Sequence, residues 1–225
     1  MFKKIKKKLH ILHSIYIKHR YFKKKKTYSM DGEDLIIADY FKNKEKGFYI
    51  DVGCYHPIHR NNTFLLYKKG WKGLNIDIHS FSIELFNYLR PKDLNYNFAI
   101  SDENKKIKMF FQKELSQLST INYTQATKSI EGIIKEKEIQ SYTLDEVLNF
   151  SNLENKKIDL LDIDVEGADL KVLKGLSFEN CKPELICIEI HEENVKKSET
   201  FIYLNNIGYE LIWSGVFSHI FKSKH

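Results

Sequence analysis

The stretch Phe48-Tyr49-Ile50-Asp51-Val52-Gly53 decides the fold of this 225-residue chain. It is short, mostly apolar and bounded by Gly47 and Gly53, which predicts a strand of a parallel sheet that is buried on both faces. A glycine at the end of such a strand lets the backbone approach a ligand without an intervening Cβ. In open α/β sheets, ligands bind at the carboxyl ends of the strands where the strand order reverses. The end of this strand is therefore the first place to look for a site.

Outward from this strand, apolar runs alternate with helical patterns. Further strands are predicted at 74–78, 96–100, 158–165 and 185–190, with an additional one at 107–111. The last two runs, 209–213 and 216–221, should pair antiparallel, because the short turn between them cannot make a parallel crossover. The fold class is thus α/β, a Rossmann-like, mostly parallel, doubly wound sheet with an antiparallel C-terminal strand pair. The polar residues 113–138 are expected to form a mobile loop or short helices over the site.

Charge divides the chain into two parts. Residues 1–26 contain eleven Lys and Arg and no Asp or Glu, which leaves 25 basic and 30 acidic residues in the remainder. We therefore expect a basic arm at 1–26 and a mildly acidic domain at 27–225. This distribution argues against a broad nucleic-acid-binding surface on the domain, so a nucleic-acid partner is not expected.

The basic arm also has a helical apolar stripe. A basic amphipathic helix of this kind favours attachment to an anionic membrane surface, and a solvated leader is the alternative. We find no secretory signal and no run long enough to span a bilayer. The three cysteines have no metal-ligand spacing and are expected to be reduced thiols. Together with the arm, these features predict a cytoplasmic protein that is peripheral at the inner face of the membrane. The stripe consists of Phe2, Ile5, Leu9, Leu12 and Ile15 or Tyr16.

The ends of the first two strands suggest a nucleoside-containing cofactor. Asp77 lies at the end of the second strand, 26 positions after Asp51, where a carboxylate can accept hydrogen bonds from ribose hydroxyls. The residues after Gly53 are Cys54, Tyr55, His56 and Pro57, without the further glycines that a pyrophosphate needs. This favours S-adenosyl-L-methionine, which has no phosphate, over a dinucleotide. The alternative is an ordinary strand end in another Rossmann-like protein.

Three motifs in order resemble the FkbM family of methyltransferases. They are Gly47-Phe48-Tyr49-Ile50-Asp51-Val52-Gly53-Cys54-Tyr55-His56-Pro57 with Asn61-Asn62-Thr63, then Tyr67-Lys68-Lys69-Gly70-Trp71-Lys72-Gly73 running to Asp77, and Asp159-Leu160-Leu161-Asp162-Ile163-Asp164-Val165-Glu166-Gly167-Ala168-Asp169. The similarity extends over roughly 29–221. Two departures are Cys54, where alanine is usual, and Asp162, where lysine is frequent.

The resemblance implies a class I methyltransferase fold, S-adenosyl-L-methionine as the donor, and transfer to an oxygen, often of a sugar. Asp51 and Gly53 match the first cofactor motif, Asp77 matches the ribose carboxylate, and 99–102 match the adenine-lining segment. The expected donor-binding residues are Asp51, Gly53, Cys54, His56, Thr63, Asp77, Ile78, Ala99, Ser101 and Asp102.

Candidate catalytic residues lie at the ends of the predicted strands 158–165 and 185–190. Asp164 and Glu166 are candidates for a general base or an acceptor ligand, and a helix N-terminal cap is their structural alternative. Glu189 and His191 should face the same crevice, where His191 is a candidate base, although a histidine there can also simply be hydrogen-bonded in place. Carboxylates beside a histidine can bind a divalent cation, but no spacing is diagnostic, so the metal stays open.

These observations predict an O-methyltransferase that acts on a hydroxyl of a sugar or cell-envelope glycan. Two alternatives remain open at this point. One is a methyltransferase of another acceptor, such as a lipid, a small metabolite or RNA. The other is a non-catalytic Rossmann-like binding module. The sequence predicts neither the hydroxyl that is methylated nor the oligomeric state.

Overall fold

The computed structural model describes residues 2–19, 25–112 and 119–224. Some of the predicted features lie outside the described residues. These are Arg20, Lys23 and Lys24 of the arm, the side chain of Phe2 and the first part of the polar segment 113–138. The elements are α1 (Phe2–Leu12), a π-helical turn (His13–Lys18), α2 (Glu33–Tyr40), β1 (Phe48–Val52), α3 (Phe64–Lys68), β2 (Lys72–Ile76), α4 (Ser80–Leu89), β3 (Leu94–Tyr96), β4 (Ala99–Ile100), β5 (Lys105–Phe111), α5 (Tyr123–Ser129), β6 (Lys135–Tyr142), α6 (Leu144–Phe150), β7 (Leu160–Ile163), α7 (Asp169–Lys174), β8 (Leu185–Glu189), a 3₁₀ turn (Val195–Lys197), α8 (Glu199–Asn206), β9 (Tyr209–Ser214) and β10 (Ser218–Ser223).

Seven strands form the main sheet, in the order β3-β2-β1-β7-β8-β10-β9. All pairs are parallel except those of β10, which is antiparallel to both β8 and β9. The predicted fold class is confirmed, including the antiparallel C-terminal pair. The strand order reverses between β1 and β7, so the carboxyl ends of these strands flank the crevice at which such sheets bind ligands.

Two details of the predicted secondary structure are wrong. Residues 96–100 do not form one strand: β3 ends at Tyr96 in the main sheet and β4 belongs to a second sheet of order β4-β6-β5. The Asn97 side chain donates to the carbonyl of Asp77 at 2.9 Å, which is compatible with a chain that turns away at this point. In the polar segment, α5 is a short helix over the site, as predicted, but the strand β6 begins there as well and pairs antiparallel with β5. Exposed lysines and glutamates dominate β6, so it has no apolar alternation to reveal it.

Helices cover both faces of the main sheet, because side chains alternate along each strand. On one face, Ile50, Leu161 and Ile186 pack in a core that also contains residues of α6, α7 and α8. On the other face, Tyr49 and Leu160 pack with residues of α2 and α3 and with the buried Trp71. The three cysteines are buried and unpaired, as expected for small apolar side chains.

One side of the arm packs against the domain, and part of its apolar stripe is exposed to solvent. Ile15 is fully buried and packs with Leu85 of α4, so of the two alternatives for the end of the stripe it is Tyr16 that stays exposed. Among the described residues, no helix has the length and apolar character needed to cross a membrane.

Candidate active site

Two adjoining cavities open at the carboxyl ends of the parallel strands. We call the first the crevice; it lies between the ends of β1, β2 and β7. We call the second the side pocket, and its walls include Glu33, Asn62, Gln125, Glu189 and His191. Arg60, Asp164 and Glu166 line both cavities. The two cavities therefore adjoin along a shared charged wall.

The Gly53 turn forms the floor of the crevice. Its φ is +83°, and a Cβ at this position would collide with the carbonyl oxygen of Asp164. The amides of Gly53 and Cys54 both donate to the carbonyl of Ile76, at 2.9 and 3.2 Å. The turn is thus held to β2 on one side and pressed against the end of β7 on the other. Only glycine satisfies both contacts.

Asp77 lies in the crevice wall with both carboxylate oxygens already engaged. One accepts from the Tyr55 amide and the other from the His79 amide, each at 2.7 Å. Burial raises the pKa of Asp77 to about 6, although these amide hydrogen bonds oppose the shift. Because each carboxylate oxygen has two lone pairs, Asp77 can still accept hydrogen bonds from a ligand. It also holds Tyr55, whose φ is +48°, in a left-handed conformation.

The predicted donor residues do not all lie in the crevice. Gly53, Asp77, Ile78 and Ala99 line it. Six others are not among the residues that line the crevice: Asp51, Cys54, His56, Thr63, Ser101 and Asp102.

Asp51 and Thr63 belong to a buried polar network beneath the crevice. Asp51 accepts from Thr63 Oγ1 at 2.8 Å and from Asn61 Nδ2 at 3.0 Å. Arg90 is fully buried beside them and donates to Thr63, Asn61 and two further oxygens, the hydroxyl of Tyr49 and the carbonyl of Pro57. Alternation explains the placement of Asp51: since Val52 faces the crevice, its neighbour faces the opposite side of the strand.

Cys54 and His56 pack behind the turn. Cys54 lies in an apolar cluster with Ile83 and Phe86. His56 Nδ1 accepts from the amides of Ile58 and His59, at 3.1 and 3.0 Å. Burial lowers the pKa of His56 to about 3, so the ring is neutral and shapes the backbone.

Ser101 and Asp102 lie beyond the rim of the crevice. Ser101 is buried and donates to Asp102 at 2.9 Å. Asp102 lines a third depression together with Asp169 and Lys174. This depression shares Glu189 and His191 with the side pocket but no described residue with the crevice.

Several crevice residues were not predicted from the sequence. Tyr55, Phe98 and the segment 119–121 all line it. Phe98 belongs to the predicted strand 96–100, where its side chain would pack in the sheet. It lines the crevice because the chain leaves the main sheet after Tyr96. The segment 119–121 lies in the polar region and has no motif. It is fixed to the site because Thr120 Oγ1 donates to the carbonyl of Glu166 at 2.7 Å.

The end of β7 carries the candidate catalytic carboxylates. The strand ends at Ile163, so Asp164 and Glu166 lie in the following loop and line both cavities. Glu166 has a φ of +55°. The N-cap of α7 is Ala168 and has no side-chain cap. The first residue of the helix, Asp169, holds the loop by accepting from the amides of Val165 and Gly167 at 3.1 and 3.0 Å. The side chain of Glu166 is thus available to the cavities.

Glu189 is the last residue of β8 and His191 lies two positions beyond it. Both line the side pocket together with Asp164 and Glu166, as expected. His191 Nε2 is 2.9 Å from Glu189 Oε2, and this hydrogen bond raises the pKa of His191. Burial, and next the charge of Glu189, raises the pKa of Glu166 to about 8. The same two causes raise the pKa of Asp164 well above its ordinary value. Four groups that can exchange protons therefore lie around one small space.

The same space has the composition of a metal site. Ligand atoms of Glu166, Glu189 and His191 lie within 4.8 Å of one another. Two carboxylates and an imidazole are a donor set that divalent cations accept. The spacing alone does not distinguish a metal site from a proton-transfer site.

Comparison with known proteins identifies one family. The family model described as "Methyltransferase FkbM domain" matches residues 51–211. No curated protein and no solved structure matches the chain significantly. The matched range begins within β1 and ends within β9, so it includes the residues that form the crevice, and most of those that form the side pocket, but not the arm.

Proposed function

Because the chain belongs to the FkbM methyltransferase family, we propose that it is an S-adenosyl-L-methionine-dependent O-methyltransferase that methylates a hydroxyl of a sugar or cell-envelope glycan. The observation that carries this proposal is that the two cavities adjoin and share Arg60, Asp164 and Glu166 in their walls. Methyl transfer needs a donor site and an acceptor site that meet at one point, since in-line displacement depends on alignment of the reacting atoms.

The crevice suits a phosphate-free nucleoside. Phe98, Ala99 and Ile78 supply an apolar surface for a base, and Asp77 supplies acceptors for ribose hydroxyls. The turn after Gly53 lacks the glycines that would hold a pyrophosphate. These features favour S-adenosyl-L-methionine over a dinucleotide. When bound, this donor supplies an electrophilic methyl group on a sulfonium.

The side pocket supplies the proton acceptor. A hydroxyl is a weak nucleophile and gains from a general base as the oxygen–carbon bond forms and the carbon–sulfur bond breaks. We assign this role to His191, whose Nε2 is held by Glu189, so that Nδ1 can take the hydroxyl proton. The Glu189 carboxylate stabilises the resulting imidazolium. Glu166, with a pKa of about 8, stays largely protonated at pH 7 and can donate a hydrogen bond to the acceptor.

The direct test is calorimetric titration of the full chain with S-adenosyl-L-methionine and S-adenosylhomocysteine. We expect binding of both, followed by transfer of labelled methyl to a sugar or envelope glycan in an acceptor screen. Absence of donor binding would overturn the proposal. Binding without transfer to any glycan, lipid, metabolite or RNA would instead favour the non-catalytic binding module.

The base assignment makes a prediction for His191→Gln. We expect kcat to fall by about 10²–10⁴, with unchanged donor affinity by calorimetry. The rate of the unsubstituted enzyme should decline as the pH falls through the raised pKa of His191, above 6.5, and this limb should vanish in the variant. His13→Gln, on the exposed arm, is the control. If a chelator abolishes activity and Mn²⁺ or Mg²⁺ restores it, the cluster acts through a metal and the base assignment is wrong.

Asp77 makes a second prediction. Since its pKa is about 6, it is ionised at pH 7.5 and protonated at pH 5. Ribose hydroxyls bind a carboxylate more strongly than a neutral acid, so donor affinity should fall as the pH is lowered through 6. Asp77→Asn should weaken donor binding by about tenfold or more and remove this pH dependence. Asp102→Asn, outside the crevice, should bind the donor as the unsubstituted protein does; equal losses in both variants would contradict the assignment.

A further inference from the structure

The arm is fixed to the domain along one side. Ile15 and Ile11 pack on Leu85 and its neighbours in α4. Lys7 pairs with Glu84, and the His10 ring stacks on Phe81 with centroids 4.5 Å apart. These contacts extend from Lys7 to Ile15. It is therefore a helical element with a defined orientation on the domain.

The other side of the arm is apolar and exposed. Ile5, Leu9, Tyr16 and Ile17 are 48%, 61%, 44% and 60% exposed. Ile5 and Leu9 are one helical turn apart, so they lie on the same face. Tyr16 packs edge-on against Tyr88, which is itself 41% exposed. Large aliphatic side chains in this arrangement are costly to leave in water, which indicates that something covers them.

Charge identifies what covers this face. Lys6, Lys8 and Lys18 are exposed beside the apolar residues, and residues 1–26 contain no Asp or Glu. Such a helix complements a surface that is negatively charged outside and apolar beneath, as an anionic lipid leaflet is. RNA would use the lysines but would leave Ile5, Leu9 and Ile17 in water. The anionic lipid surface is therefore the occupant that accounts for both features.

We propose that residues 2–18 bind the protein flat on an anionic lipid surface through the face that carries Ile5, Leu9 and Ile17. The end of the arm then places the site: His19 stacks on His59 with ring centroids 3.7 Å apart, and the next residue, Arg60, lines both cavities. The mouth of the crevice is thus held close to the lipid headgroups. If the proposed function holds, the crevice would then lie where a membrane-borne acceptor could reach it.

The test measures binding of the full chain to vesicles by co-sedimentation. Vesicles of phosphatidylcholine with 30% phosphatidylserine are compared with pure phosphatidylcholine, without donor or acceptor. We expect binding only to the anionic vesicles, weakened as the salt concentration rises. The double substitution Ile5→Glu with Leu9→Glu should weaken it by at least tenfold. Ile133 is an apolar residue outside the arm that is even more exposed, at 81%, so the Ile133→Glu variant is the control and should bind normally.

The outcomes separate this proposal from the methyltransferase function. Unchanged vesicle binding by the double variant would overturn the membrane proposal. So would a loss of binding in Ile133→Glu as large as the loss in the double variant. Binding of a 20-nucleotide RNA in place of vesicles would also overturn it. Because the substituted residues are exposed, thermal melting should be unaltered, which excludes unfolding as the cause. Donor affinity measured by calorimetry should be the same in both variants, so a failure of donor binding would count against the proposed function alone.

Discussion

Substitution of Gly53 by alanine is expected to abolish donor binding and to lower the free energy of unfolding by about 2–5 kcal/mol. Two causes act together. The residue has a φ of +83°, and the added Cβ would meet the backbone carbonyl of Asp164, which no side-chain rotation can relieve. Either the turn or the loop after β7 must move, and both line the crevice.

The matched control is Gly70→Ala. Gly70 also has a positive φ, of +96°, but a Cβ there would meet nothing within 4 Å. It should cost only the conformational strain, about 1–2 kcal/mol, and leave donor binding intact. Urea unfolding and calorimetric titration of both variants measure the difference. Donor binding by Gly53→Ala at the affinity of the unsubstituted protein would show that the crevice does not depend on this close approach.

Arg90→Met is expected to destabilise the protein by about 3–5 kcal/mol. Arg90 is fully buried, and its guanidinium donates to four oxygens, including Thr63 Oγ1 at 2.8 Å and Asn61 Oδ1 at 2.7 Å. Its removal leaves the carboxylate of Asp51 buried without a cation, while burial already raises the pKa of that carboxylate. Chemical unfolding at pH 7 measures the loss.

Two further variants test the cause of this loss. Adding Asp51→Asn to Arg90→Met removes the unpaired charge and should recover part of the stability, as a double-mutant cycle would record. Lys92→Met, at an exposed position nearby, should change the free energy of unfolding by less than about 0.5 kcal/mol. If Arg90→Met unfolds at the same urea concentration as Lys92→Met, the buried network does not contribute to stability as argued.

The contrast between Gly53 and Arg90 shows what the sequence predicts and what it does not. Local pattern predicted β1 and the glycine at its end, because an apolar run and its boundary are properties of neighbouring residues. The rule on strand ends then brought Asp77, Asp164, Glu166 and His191 to one edge of the sheet. Arg90, by contrast, ends a helix before a proline and looks like a surface residue. Its burial depends on Asp51 and Asn61, which only the tertiary fold brings near.

The six predicted donor-binding residues that do not line the crevice have a similar explanation. Asp51 belongs to a motif that points to the site, yet its side chain faces away, because adjacent strand residues project to opposite faces. His56 and Thr63 support the turn from behind. The second sheet was not predicted, although its strand β5 was expected at 107–111. Its strand β6 begins with four exposed Lys and Glu residues, and hydrophobic periodicity carries no information about such a strand.

The second sheet is built from one uninterrupted stretch of chain between β3 and α6. That stretch supplies Thr120 to the crevice and Gln125 to the side pocket, whereas Gly53, Asp77 and Asp164 come from the main sheet. The same stretch also supplies Phe98 and Ala99 to the crevice, so it forms part of the wall of both cavities. A change in its length or sequence would therefore reshape both cavities together, while the main sheet beneath them stays the same.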